Sequence, residues 1–83
     1  MIKNIEKFME LDSLREEMKA SQEAYQEVAD SAYSKAAICG EEDNLIVYGV
    51  WMDVVEMCNW YLDIIYDDIK KIEEELQELV EEA

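Results

Sequence analysis

Seven acidic residues, Asp53, Glu56, Asp63, Asp67, Glu74, Glu78 and Glu81, recur at steps of three, four and seven through the second half of the chain. On a helix those steps share one face, and carboxylates three or four residues apart lie about 5–6 Å apart along the axis. A row of this kind attracts cations, and among proteins it fits a surface rich in Lys and Arg. Trp60 falls on the same face. A tryptophan directed outward among carboxylates suits an Arg-rich partner, since its ring accepts a guanidinium and tryptophan is a frequent interface anchor. Helix faces that serve only solubility mix signs and form i,i+4 pairs. Here only Lys70 and Lys71 break the run of acids. The row repels itself, which makes a neutralising partner the expectation.

Other chemistries lack their residues. The 83-residue chain has no histidine, so no Ser/His or Cys/His nucleophile pair can form, and no glycine-rich phosphate loop is present. Cys39 and Cys58 form no CxxC pair and have no histidine to complete a zinc site. Glu41-Glu42-Asp43-Asn44 is too short for a calcium loop and reads as a turn and helix cap. No catalytic residue, metal site or cofactor is expected.

Charge sharpens the partner class. The net charge is −15. Residues 1–40 hold eight acids and five bases, a net of −3, whereas residues 41–83 hold fourteen acids and two bases, a net of −12. Direct nucleic-acid binding needs clustered Lys and Arg, and an anionic membrane surface would repel this chain. Basic proteins are the natural partners, and many of them bind nucleic acid. The Leu45–Tyr66 stretch is long and apolar, but Asp53, Glu56, Asn59 and Asp63 lie inside it, which argues against a membrane span. No secretory leader is visible at the start of the sequence, and the chain reads as cytoplasmic.

The elements that must carry the row are helices. Proline is absent and glycine occurs twice, at Gly40 and Gly49, too few turn-formers for a β domain. An apolar fraction of 51% is too high for a disordered acidic tail. Trp51, Val55, Cys58, Leu62, Ile65, Ile69, Ile72, Leu76 and Leu79 alternate in steps of four and three, the seam of a helix packed lengthwise on another. The first half offers Ile5, Phe8, Leu11, Leu14, Met18, Tyr25, Val28, Ala32 and Ala36. The spacing predicts an all-α antiparallel hairpin of two long helices in one domain: a helix over about 2–38, a turn over 39–44 and a helix over about 45–82.

Gly40 is the expected helix stop, with Asp43 or Asn44 capping the second helix and Glu41, Glu42 and Asp43 placed at the positive end of its dipole. With the turn centred near residue 42, facing positions total about 84. Ile5 then meets Leu79, Phe8 meets Leu76, and Leu14 lies near Ile69 and Ile72. Lys3 and Lys7 fall near Glu75, Glu78 and Glu82. Cys58 then lies about 20 Å beyond the turn, too far from Cys39 for a bridge that needs Cα atoms within about 7 Å. Ser13-Leu14-Arg15-Glu16 also reads as a capping box, which would break the first helix near Asp12–Ser13 and give three helices.

Between Leu45 and Tyr66 the second helix is apolar beyond its seam, through Val54, Met57, Tyr61, Ile64 and Tyr66, while the first helix opposes it with Ala20, Ala24, Ala29, Ala32, Ala36 and Ala37. Small residues cover little. An apolar band is therefore expected on the surface, to be filled by a second copy in a homodimeric four-helix assembly or by another protein. Trp51 is expected in the core, and Tyr25, Tyr33 and Tyr48 at its edge.

Two resemblances bear on function. The chain is small, acidic, helical and free of catalytic motifs, and in that character it resembles the viral inhibitors of restriction enzymes and CRISPR effectors that mimic DNA. That class has no defining motif. The likeness implies a phage-type anti-CRISPR or anti-restriction protein whose carboxylates occupy phosphate sites on a nucleic-acid-binding complex. Separately, Glu56-Met57-Cys58-Asn59-Trp60-Tyr61-Leu62-Asp63 resembles the Glu-x-x-Asp-x-x-Trp-Tyr-Leu segment of MazG-type nucleotide pyrophosphohydrolases, an all-helical family that binds Mg²⁺ through carboxylates. Asn59 stands where that family has a metal carboxylate, Trp60-Tyr61 follow it directly, and Ala20 replaces the third acid of its Glu-Glu-x-x-Glu motif after Glu16-Glu17. The reading from sequence is a non-enzymatic acidic binding protein, with Asp53, Glu56, Trp60, Asp63, Asp67, Glu74, Glu78 and Glu81 as the partner-binding face. The other reading is a homo-oligomeric structural or adaptor protein whose acidic face is only solvated.

Overall fold

The computed structural model describes residues 4–81, and for Glu81 the backbone alone. The described residues form two helices of equal length: α1 (Ile5–Glu41) and α2 (Leu45–Glu81), 37 residues each. They pack lengthwise as an antiparallel hairpin in a rod of 60 × 14 × 12 Å. A 37-residue helix is about 55 Å long, so the rod is the helix length plus its turn.

α1 is unbroken. Asn4 caps it, its side chain accepting a hydrogen bond from the Lys7 N–H (3.1 Å). The capping box at Ser13 does not operate, and Asp12 instead accepts a hydrogen bond from the Arg15 guanidinium one turn on. The two-helix reading holds over the alternative break at Asp12–Ser13: Leu11 and Arg15 sit on the same face toward α2, and continuous helix keeps both there. The expected residues 2 and 82 lie outside the described range.

The turn differs from expectation in which residue stops the helix. Gly40 remains helical, and Asp43 takes the left-handed conformation (φ 58°). The Asn44 N–H donates to the Cys39 carbonyl (2.8 Å) and the Asp43 N–H to the Gly40 carbonyl (3.3 Å), the bonding of a Schellman motif. The Asn44 carbonyl then accepts from the Tyr48 N–H (3.0 Å), so Asn44 occupies the N-cap of α2. Glu41 and Glu42 thus belong to the end of α1, where the dipole is negative, and α2 has no acid in its first turn. A Cβ at Gly40 would meet the Tyr48 ring at 3.5 Å, an ordinary van der Waals contact, so neither φ nor packing requires a glycine there.

On α2 the seam is the one the spacing predicts. Cys58, Ile69, Ile72, Leu76 and Leu79 are buried, and Trp51, Val55, Leu62 and Ile65 are half-buried. On α1 it runs through the expected Phe8, Leu11, Met18, Tyr25, Ala32 and Ala36, and through Arg15, Gln22, Ala29 and Cys39 between them and beyond, again in steps of three and four. Ile5, Leu14 and Val28 are exposed. α1 spreads its apolar residues around its circumference, so the strongly one-sided α2 fixes the pairing, and the α1 face that keeps a 3.5-residue period over its whole length is the one that lies along it.

The register is also shifted. Tyr25 stacks on Tyr61 and the Lys35 ammonium lies over Trp51, pairs whose numbers total 86, not 84. The helices end at 41 and 45, which centres the turn on residue 43. Lys3 and Glu82 lie outside the described residues, and Lys7 forms no ion pair among the described side chains. Cys39 and Cys58 are free thiols.

Candidate partner-binding face

The seam leaves the opposite side of α2 to solvent. Asp53, Glu56, Asp63, Asp67, Glu74 and Glu78 are all exposed there, and Glu81 continues their helix with its side chain outside the described set. Asp53, Trp60, Asp67, Glu74 and Glu81 are spaced by seven residues. In a helix that keeps a 3.5-residue seam, positions seven apart lie in one straight line.

The row is not neutralised within the chain. Among the described side chains every ion pair comes from Arg15, which reaches Asp12, Glu16 (3.9 Å) and Glu73 (4.0 Å). None of those acids belongs to the row. Lys70 and Lys71 stand four residues before Glu74 and Glu75, and Lys71 stands four residues after Asp67, yet neither forms an ion pair among the described side chains.

Trp60 is 59% exposed, so it does not pack on the first helix of its own chain. It shares a shallow hollow with Asp53, Glu56 and Met57. These four residues follow the i, i+3, i+4, i+7 pattern of one helix face. Its ring meets Tyr61 edge-on (5.1 Å between centroids), and Tyr61 stacks on Tyr25 of α1 (5.3 Å, 18° between planes). An aromatic ladder therefore runs from the seam to the surface and presents Trp60 beside two carboxylates. Sequence reasoning placed Met57 in the apolar band and missed it here, although its spacing from Asp53 and Trp60 carried the signal.

The other expected residues are distributed along the rod. Asp63 borders a shallow groove with Gln22, Glu23, Gln26 and Tyr66, and Glu74 and Glu78 border another with Lys70 and Glu73. The face is thus a row about 40 Å long from Asp53 to Glu81, not a pocket. Among the described residues no group of three or more Cys, Asp or Glu side chains is placed to hold a metal ion. The two segments that resemble the pyrophosphohydrolases do not meet within the chain. By the Tyr25–Tyr61 pairing, Glu56 is level with Asp30, about 20 Å along the axis from Glu16 and Glu17.

The expected apolar band is present. Ile46, Val50, Met57, Tyr61, Ile64 and Tyr66 are exposed, and no described helix is long and apolar enough to cross a membrane. Comparison with known protein families, with curated proteins and with solved structures gives no match to this chain.

Proposed function

We propose that this chain is a non-enzymatic acidic binding protein that occupies the phosphate-binding surface of a basic, nucleic-acid-handling protein. The observation that carries the reading is the unneutralised row of exposed acids on α2 with a braced, exposed Trp60 set into it. Carboxylates spaced along the rod compete for Lys and Arg sites meant for a phosphate backbone, and Trp60 adds a contact that salt does not screen. A restriction endonuclease or a CRISPR effector complex in the cytoplasm of a host cell is the partner class that this chemistry fits best, with the chain acting as a phage-type inhibitor. The exposed apolar band favours a second reading, a homo-oligomeric structural or adaptor protein, in which the row only keeps the assembly soluble.

The two readings separate on one variant, Asp63→Lys/Asp67→Lys/Glu74→Lys, assayed as a stoichiometric competitor of duplex oligonucleotide binding by a panel of restriction endonucleases and CRISPR effectors. The inhibitor reading expects competition by the native chain and its loss in the triple variant, with helicity retained. Competition that survives the reversal, or none against any member of the panel, removes it. Mg²⁺-dependent hydrolysis of a common nucleotide would replace it with the enzyme reading.

A further inference from the structure

Beside the acidic row, α2 carries a second apolar line that its own hairpin does not cover. Val47, Val50, Val54, Met57, Tyr61 and Ile64 follow steps of three, four, three, four and three. Met57 is 62% exposed and Val50 57%, and only Val54 is half-buried. The line lies about a quarter turn from the seam on one side and about a quarter turn from the acids on the other. α1 extends the same side of the rod with exposed Val28 and Ile38 and the small residues Ala24 and Ser31. These residues hold the side opposite to Tyr33, Tyr48 and Met52, which line a hollow of their own.

We propose that a second copy of this chain covers this line, with the two α2 helices antiparallel about a two-fold axis near residues 55–56. The pattern is self-complementary, as an isologous contact requires. Reversed on itself, the line sets Val47 against the partner's Ile64, Val50 against the partner's Tyr61, and Val54 against the partner's Met57. The charges agree with that register. Lys71 continues the line two turns beyond Ile64 and forms no ion pair among the described side chains of its own chain. In the antiparallel dimer it arrives within a lysine's reach of the partner's turn, where Glu41, Glu42 and Asp43 cluster.

The arrangement has a consequence for the acidic face. The two-fold axis stands perpendicular to the plane of the two α2 helices, so both α1 helices lie on one side and both acidic rows on the other. Helix axes in such a bundle are about 8–10 Å apart. The dimer therefore presents two antiparallel rows of carboxylates side by side, as a nucleic-acid duplex presents two antiparallel rows of phosphates. The dimer stands on the apolar line and the charge register alone; the use of its paired rows rests on the function proposed above.

Sedimentation equilibrium of the full chain tests the proposal. The expected mass is twice 9.7 kDa. Self-association should tighten with added NaCl, because each copy carries −15. Val54→Glu/Met57→Glu should give a monomer. Lys71→Glu should weaken the dimer roughly three- to tenfold, two symmetry-related rim pairs being lost together, and Glu42→Lys in the same chain should restore it. The charge variants lie on exposed positions, so they remain informative if the double glutamate variant unfolds. A monomer at about 100 µM overturns the proposal, as does a dimer indifferent to Lys71→Glu. A monomer that binds a basic amphipathic peptide at this line overturns it in favour of a heterologous partner. The Asp63/Asp67/Glu74 reversal should leave the dimer intact, so failure of the dimer and failure of the inhibitor reading are separately visible.

Discussion

Arg15 of α1 lies in the seam and reaches Glu73 of α2, with Nη1 4.0 Å from Oε2. It takes a place where the neighbouring positions of the line hold Phe8, Leu11 and Met18. Its guanidinium is also held by Asp12, while its Nε is buried without a hydrogen-bond partner. A charged residue at a seam position costs stability and fixes alignment, because sliding the helices would bury the charge against apolar side chains.

Replacing Arg15 by leucine should therefore stabilise the hairpin, by about 1 kcal/mol, while relaxing its register. Urea unfolding followed by circular dichroism measures the first effect. A loss of more than about 1 kcal/mol would show that Arg15 holds the fold together and does not merely align it.

Asp43 is the one described non-glycine residue with positive φ. Asp43→Gly relieves the left-handed strain and removes one charge from an acidic turn, and the unfolding midpoint should rise by the equivalent of up to about 1 kcal/mol. Asp43→Val should lower it by about 1–2 kcal/mol. Equal midpoints for both variants would contradict the Schellman geometry at Asp43.

The surroundings of Trp60 can be read by fluorescence. In Trp51→Phe, which leaves Trp60 as the sole indole, caesium ion should quench more strongly than iodide, because Asp53 and Glu56 share its hollow. Stronger quenching by iodide would place the indole away from the carboxylates.

The acidic face also sets a salt dependence. Unpaired like charges oppose the compact rod more than the expanded chain, and added salt screens them. The thermal midpoint should rise between about 20 mM and 0.5 M NaCl, beyond the Debye length at which neighbouring carboxylates feel one another. A falling midpoint would mean that ion pairs, not repulsion, dominate.

The sequence by itself determined α2 almost completely. Its seam from Trp51 to Leu79 is apolar, strictly periodic and free of proline, so burial leaves only one face to choose, and the acids and Trp60 follow on the other side by geometry. The hairpin and its lack of strands follow from the same scarcity of turn-forming residues. α1 was less legible. Its apolar residues surround the helix, so Leu14 and Val28 read as well as Arg15 and Gln22 for the seam, and only the partner helix decided among them. The Ser13 capping box was a true local signal that lost to continuous packing. The helix stop passed from Gly40 to Asp43, where the closing bonds to the Cys39 and Gly40 carbonyls form although aspartate tolerates positive φ less well than glycine. The brace behind Trp60 was likewise beyond sequence reach: Tyr25 and Tyr61 meet only in a register that totals 86, and a stack between two helices exists only once tertiary structure has aligned them.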